Sequence, residues 1–388
     1  MRFRALAGLT LLTGFLACQS DKDVEPAADC LVKASALSGQ PIANAYIVTY
    51  KPSEPVTATS PNARMAATSA IQRLLDKHEL ADAQPELLVS GEKTSFLAHI
   101  SAPEAAELKT DPAVELVEPD RVVSLCSCVD VATVSTLSWN VSATGFGRGD
   151  RQTDKTAWVL DTGIDFDHPD LNVDEERSQN FIGGTTADDD NGHGTHVAGI
   201  IGALNNTIGV TGVASGVSLV ALKILDSEGD GKLSTIVQAV GYVSRVGKAG
   251  DVINISIGGE GISTTLERTI RAAADKGILF AIAAGNEGKN ASDYAPANIN
   301  HPNVFTVSAM DRNLNFAEFS NFGPDIDVCA YGVRIQSTYK DGRYATLSGT
   351  SMAAPHVAGL LLIRGANIPK RGFVTNDPDG TPDPIARE

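Results

Sequence analysis

The chain has 388 residues, 43% of them hydrophobic and 20% charged, which fits a globular protein with a real core and suggests two or three domains. Its formal net charge of −16 argues against nucleic acid as a partner, because phosphate backbones are held by lysine and arginine. No stretch is apolar for long enough to span a bilayer.

Arg2 and Arg4 precede an uncharged run from Ala5 to Ala17, too short for a membrane span and suited to a signal peptide over residues 1–17. The run ends in Phe15-Leu16-Ala17-Cys18, and a small residue before a cysteine resembles the bacterial lipobox, in which the cysteine is lipidated. Phe15 and Leu16 depart from the usual form of that motif, so lipidation of Cys18 and ordinary cleavage both stay open. Residues 18–42 are polar and alanine-rich and read as a linker or tether. Export permits disulfides. Among Cys30, Cys126, Cys128 and Cys329, the expected bridge joins one of Cys126 and Cys128 to Cys329.

A small domain is expected over residues 43–125. Ala45–Tyr50, Leu87–Ser90, Ser95–Ile100 and Val114–Val117 read as strands, the last closed by Glu118-Pro119-Asp120. Ile71, Leu74, Leu75 and His78 recur at helical spacing, so Ala66–Leu80 reads as a helix, and Pro103 opens a second helix that ends at Lys109. The resulting βαββαβ order is the ferredoxin-like α+β arrangement.

Ser124 to Arg151 is a thin join rich in Ser, Thr and Gly. In the region that follows, apolar strands alternate with helices. Strands are expected at Ala157–Leu160, Val217–Ile224, Val252–Ile257, Ile278–Ala283 and Val304–Ala309, and helices at Val197–Ala203, Ser234–Gly247 and Thr264–Lys276. That alternation predicts an α/β domain over residues 126–388, three-layered, with a parallel sheet covered by helices on both faces. Sites in such sheets lie at the carboxyl ends of strands.

Asp161 follows the first of these strands directly. His193, between Gly192 and Gly194, opens a helix, and histidine is the usual base near neutral pH. Asn286 follows the strand that ends at Ala283. Ser351 stands at the first turn of the apolar helix running to Ile363, where free N–H groups favour developing negative charge. Singly, each residue also reads as a cap or turn. Together, Asp161, His193 and Ser351 follow one of the chain orders of the Ser-His-Asp constellation. His193 and His196 raise a metallohydrolase alternative, but His-Glu-x-x-His is absent and no third ligand stands near, so His196 reads as a supporting or packing residue. A second alternative is a catalytically silent binding protein, against which stands the presence of the triad and Asn286 together.

Asp161-Thr162-Gly163, His193-Gly194-Thr195-His196, Ala284-Gly285-Asn286 and the stretch from Gly349 to His356 resemble, in this order, the four signature blocks of the subtilases. Asn254 to Gly259 and Phe319 to Gly323 resemble the proteinase K branch, and the likeness covers roughly Trp139 to Gly365. The small domain, with Tyr46-Ile47-Val48 and Val117-Glu118-Pro119-Asp120, resembles the inhibitor-type propeptide of the same family.

The resemblance implies a subtilisin-like serine endopeptidase in which Ser351 attacks, His193 moves the proton and Asp161 orients the imidazole. It implies that Asn286 and the Ser351 N–H form an oxyanion hole. Ser256, Ile257 and Gly258 would pair with substrate backbone, and Ala283, Ala284 and Gly285 would form the other wall of an S1 pocket for apolar or aromatic residues. The chemistry requires no cofactor. A structural calcium is implied as a candidate, at Asp311 with the Pro296 carbonyl or at Asp188-Asp189-Asp190. The expected partners are polypeptide substrates and the chain's own propeptide, a folding aid and inhibitor cut away between about Val123 and Ser138. A monomer is expected, secreted or lipid-anchored at the bacterial cell envelope through Cys18. Only a short, polar and proline-rich chain follows Ser351's helix, so the family's closing helices are expected to be abbreviated or absent.

Overall fold

The computed structural model describes residues 37–51, 61–80, 82–89, 93–125, 128–131, 138–145 and 154–387. The expected signal peptide, lipid site, most of the linker, Cys30 and Cys126 lie outside the described residues.

Residues 41–124 form four antiparallel strands and two helices. The strands Pro41–Tyr50, Glu86–Val89, Thr94–His99 and Val114–Ser124 alternate with helices Pro61–Lys77 and Ala102–Leu108 in the expected βαββαβ order. Pro41–Tyr50 lies between Thr94–His99 and Val114–Ser124, and Glu86–Val89 forms an edge beside Thr94–His99. Ser101 starts the second helix with a capping box, its hydroxyl and the Glu104 carboxylate satisfying each other's backbone N–H. One sheet face packs on the two helices through Val48, Phe96, Ile71, Leu75 and Leu108. The last strand does not stop at Glu118-Pro119-Asp120, as the proline suggested, but runs on to Ser124. Proline is tolerated there because at Pro119 the strand is paired on one side only, next to a shift in register, and gains its second neighbour only from Val122 on.

From residue 154 the chain builds a nine-stranded sheet. Its order is Lys370–Phe373, Pro384–Ala386, Val328–Tyr331, Val304–Met310, Leu279–Ala283, Val252–Ile255, Thr156–Asp161, Ser218–Lys223 and Gln179–Asn180. All these pairings are parallel except that of the two C-terminal strands. The central strands are mostly apolar and buried along their whole length because both faces are covered. Helices His193–Gly202 and Thr350–Arg364 pack on one face through Ile200, Ile201, Val357 and Leu361. Helices Leu233–Val246 and Thr264–Ala274 cover the other through Ile236, Val240 and Ile270. Ala45, Ile47, Leu88 and Leu97 of the small domain join that second cluster, so its sheet lies against those two helices.

One expectation fails in the C-terminal third. Cys329 is a free, fully buried thiol, so it forms no bridge with Cys126 or Cys128, and burial pushes its thiol above the ordinary range. The polar tail after the last helix is ordered: Lys370–Phe373 and Pro384–Ala386 form a hairpin whose second strand pairs beside Cys329. Among the described residues no helix follows Arg364, as expected, and the hairpin extends the sheet in that place.

The hairpin carries a buried carboxyl. Asp383 accepts a hydrogen bond from Ser308 Oγ at 2.6 Å. Burial, with Asp377, Asp379 and Asp327 around it, pushes Asp383 from the ordinary 3.8 up to about 7. The raised value means the folded state resists ionisation that the unfolded chain undergoes freely. Stability contributed here is therefore lost as pH rises through the window from about 4 to about 7, and is level above it. Asp383→Asn should flatten this dependence: melting temperatures at pH 4.5 and pH 8 should differ less in the variant than in the parent chain, and an equal difference would refute the assignment.

Candidate active site

Asp161 ends the strand Thr156–Asp161 and is fully buried. His193 is the first residue of its helix, after Gly192 with φ of 113°. Only glycine suits that left-handed turn, where a Cβ would also run into the Tyr339 ring. The imidazole Nδ1 lies 2.8 and 3.0 Å from the two oxygens of Asp161, close enough to donate to the carboxylate. The Thr162 N–H also donates to Asp161, at 2.8 Å. His193 Nε2 is buried and takes no hydrogen bond from the described residues.

A second buried carboxylate holds this corner together. Asp189 Oδ1 accepts from Thr162 Oγ1 and the N–H groups of Asn191 and Gly192, and Oδ2 accepts from the N–H and hydroxyl of Thr195. Burial raises its carboxyl, and these bonds work in the opposite direction. The sequence offers Asp189 only as one of three consecutive carboxylates and a calcium candidate with them, and nothing in its local spacing marks it as the brace of the His193 helix. Its neighbours point elsewhere: Asp190 pairs with Lys223 at 2.6 Å, and Asp188 accepts from the Phe166 N–H. The three carboxylates therefore do not converge as a calcium site. His196 is buried and held neutral, its pKa lowered to about 3 mainly by burial. Its Nε2 lies 3.0 and 3.1 Å from the carbonyls of Ile335 and Ala345, which makes it a tie between helix and strands.

Ser351 lies in the first turn of helix Thr350–Arg364. Its hydroxyl donates to the Ser256 carbonyl at 2.9 Å, not to His193. In return, Ser256 Oγ donates to the Ser351 carbonyl at 2.9 Å. The reason lies one turn along the helix. Pro355 has no N–H to offer the carbonyl four residues before it, which is that of Ser351. Ser256 supplies the missing donor.

Asn286 Oδ1 accepts from the Thr350 N–H at 2.7 Å and from Thr350 Oγ1 at 3.0 Å. Because a backbone N–H can only donate, the amide oxygen must face Thr350, and the NH2 group lies on the opposite side. Ser256, Ile257 and Gly258 line one wall of a cavity beside Ser351, and Ala283, Ala284 and Gly285 line the other. The expected substrate-binding residues are thus brought together. Glu287 and Tyr294 also line this cavity, so it is less uniformly apolar than its small residues suggested. Glu287 accepts from Asn321 Nδ2 at 2.8 Å, and burial raises its carboxyl.

The tail of the small domain enters the same cleft. Val122, Val123 and Ser124 pair with Lys232, Gly231 and Asp230, and Ser124 also bridges Gly258 on the other side. The Leu125 N–H donates to the Gly229 carbonyl at 3.0 Å. Beyond the tail, Cys128–Val131 pairs with Arg343–Ser348, the strand that leads into Ser351's helix.

Asp311 and Pro296 do not assemble a cation cradle. Asp311 accepts from the N–H groups of Asn313 and Asn315 and from Asn315 Nδ2, bracing its own turn. The Pro296 carbonyl accepts from the Ile299 N–H. Among the described residues no group of three or more His, Cys, Asp or Glu side chains is placed to hold a metal.

A protein-family model described as "Subtilase family" matches residues 157–370. The "Alkaline protease" of Alkalihalobacillus alcalophilus is 39% identical over 287 residues, covering 72% of this chain and 72% of that protein. "Subtilisin BL" of Lederbergia lenta is 46% identical over 202 residues, covering 52% of this chain and 72% of that protein. A crystal structure of a cold adapted subtilisin-like serine proteinase superposes with a TM-score of 0.56 at 30% identity, covering 65% of this chain and 98% of that one. These likenesses speak to the family and not to a branch within it.

The Pro355–Ser256 relation is testable by a double-mutant cycle. Ser256→Ala leaves the buried Ser351 carbonyl without its donor and should cost about 1–3 kcal/mol in denaturant unfolding. Adding Pro355→Ala restores a helical N–H, so the second change should be less harmful in the Ser256→Ala background than in the parent chain. Strict additivity would refute the coupling.

Proposed function

Because the chain belongs to the subtilase family and is by class a serine endopeptidase, we propose that Asp161, His193 and Ser351 are its catalytic triad, with Asn286 in the oxyanion hole. The observation that carries this reading is the buried Asp161–His193 pair standing on the same sheet end as a cavity lined by both Ser351 and Asn286. Ser351 Oγ leaves the Ser256 carbonyl, turns to His193 Nε2 and attacks the peptide carbonyl carbon while its proton passes to that nitrogen. The amide N–H donor of Asn286 and the Ser351 N–H stabilise the oxyanion. His193 returns the proton to the leaving amine, the C–N bond breaks, and an acyl-enzyme remains on Ser351. Water then repeats the sequence, with His193 as base, and releases the acid. Asp161 keeps the imidazole in the tautomer with its proton on Nδ1 and stabilises the imidazolium.

The small domain acts in this reading as an inhibitory propeptide. Its last strand brings two carboxylates to two helix starts on the enzyme domain. Glu118 accepts from the N–H groups of Thr264 and Thr265 and from Ser263 Oγ, and Asp120 accepts from the N–H and hydroxyl of Ser234. Negative charge at a helix N-terminus is stabilising, by about 0.3–1 kcal/mol each and up to about 2 when partly buried. The tail beyond them fills the strand-pairing slot that a substrate needs. The chain is made as a precursor, cut between about Val123 and Ser138, and exported. The small residues of the cavity favour apolar or aromatic P1 side chains, and the proteinase K-like reading rests on the sequence of Asn254–Gly259 and Phe319–Gly323. A membrane role enters only through lipid on Cys18.

Ser351→Ala should lower casein cleavage by about 10⁴-fold or more and leave the precursor as one band of full length. A serine-directed phosphonylating reagent should label Ser351 in the active protein. Full activity in Ser351→Ala would end this reading, and loss of activity to a chelator without labelling would favour metal-dependent hydrolysis. Full-length Glu118→Gln/Asp120→Asn should show a shorter lag before casein cleavage than the parent precursor, and an unchanged lag would refute the role given to the two caps.

A further inference from the structure

We infer that Asp230 selects the substrate side chain at the third position before the cleaved bond, favouring hydroxyl-bearing and cationic residues there over acidic ones. This rests on the peptidase reading above and adds a substrate preference to it.

The tail of the small domain shows how an extended chain sits in the cleft. Ser124 lies opposite Asp230 on one side and opposite Gly258 on the other, so it is the middle strand of a short three-stranded ladder. Directly opposed residues of an antiparallel pair present their side chains on the same face. Here that contact is made: Ser124 Oγ donates to Asp230 Oδ1 at 2.7 Å. The register also fixes where this position lies relative to the chemistry. In an antiparallel pair, moving two residues forward on one strand moves two back on the other. A substrate in this register therefore places, opposite Ser256, the residue two beyond the one in Ser124's place. Ser256 is the residue whose carbonyl touches Ser351 Oγ. The residue opposite it presents its carbonyl to the nucleophile, and the one in Ser124's place is third before the bond.

The charge around this position points the same way. Asp226 and Glu228 lie in the turn that leads into the strand Asp230–Lys232, and Lys232, the cation of that strand, stands at its other end opposite Val122. Asp226 Oδ1 accepts from the N–H groups of Glu228 and Asp230, which fixes the loop, and the Glu228 carboxylate accepts from Ser227 Oγ. A lysine or arginine in Ser124's place would meet Asp230, next to a turn that carries two further carboxylates. A glutamate would meet like charge at close range.

The test uses the processed, active enzyme and four fluorogenic peptides that differ only at the third residue before the cleaved bond: Ser, Lys, Ala and Glu. Lysine should exceed glutamate in kcat/KM by roughly three- to tenfold, the scale of one partly exposed charge pair and its hydrogen bond. Serine should exceed alanine by several-fold, on the same scale. Raising the ionic strength should shrink the Lys/Glu ratio and leave the Ser/Ala ratio. Asp230→Asn, which keeps an acceptor but removes the charge, should bring Lys/Glu close to unity while serine keeps its advantage. Asp230→Ala should abolish both preferences. Equal kcat/KM for Lys and Glu in the parent enzyme, or a Lys/Glu ratio that survives Asp230→Ala, would overturn the inference while leaving the peptidase reading intact. Failure to cleave any of the four peptides would count against the peptidase reading itself and end both.

Discussion

A buried carboxylate facing a buried imidazole sets the terms for everything around it. Asp161 and His193 are both withdrawn from water, and an ion taken into the interior without partners costs several kcal/mol. The fold answers by placing Asp161 at a strand end, where the next N–H, that of Thr162, is not used in the sheet and turns to the carboxylate. It answers again with Asp189, whose bonds to Thr162, Gly192 and Thr195 tie the strand end to the helix start. His193 is thereby fixed at both ends of the contact: its helix cannot rotate without breaking the Asp189 network. Gly194 shows how close the packing is, since a Cβ there would run into the Gly163 carbonyl and press on Asp161.

The same economy of unpaired helix donors organises the other face. Helices Leu233–Val246 and Thr264–Ala274 start next to the small domain with N–H groups that their own turns cannot satisfy. Glu118 and Asp120 stand two apart on one strand, so both side chains leave it on the same face. One strand thus addresses two helices, and the intervening Pro119 removes a ladder donor at a point where the chain is committed to these contacts. Once the strand is seated, its continuation through Val122, Val123 and Ser124 is carried into the groove beside Ser351 by backbone pairing, with one side-chain hydrogen bond from Ser124 to Asp230. Anchoring is electrostatic, occupation of the cleft is mainly backbone pairing, and both belong to one strand.

Much of this was legible in the sequence. Asp161, Asn286 and Ser351 could be placed because each follows or opens an element whose apolar run is unambiguous, and strand ends of parallel sheets are where sites form. Asp189 was not legible, because its role depends on Thr162 and Thr195, which approach it only after the strand and helix have packed. The strand Val114–Ser124 was read short because proline is a good local breaker, whereas the partners of Glu118 and Asp120 are more than a hundred residues away. The C-terminal hairpin was missed for a related reason. Lys370–Phe373 is exposed along its length and carries no apolar alternation, and its partner strand is held by pairing to Val328–Tyr331. Cys329 lies in that covered strand, and its burial as a free thiol could not be read from cysteine spacing.

Proline inside the helix that carries Ser351 is the least local of these devices. A proline at that place removes the donor to the Ser351 carbonyl, and an orphaned carbonyl in a fully buried turn would be unfavourable. Ser256 fills the gap with its hydroxyl and offers its own carbonyl to Ser351 Oγ. The strand edge that would pair with a substrate and the helix that carries the hydroxyl are therefore joined through two reciprocal hydrogen bonds rather than through packing alone. A chain that pairs with Gly258 is then positioned relative to Ser351 by a path of only two residues, with no flexible loop between. Through that short path the register of a paired segment sets which of its residues lies beside Ser351 and which beside Asp230.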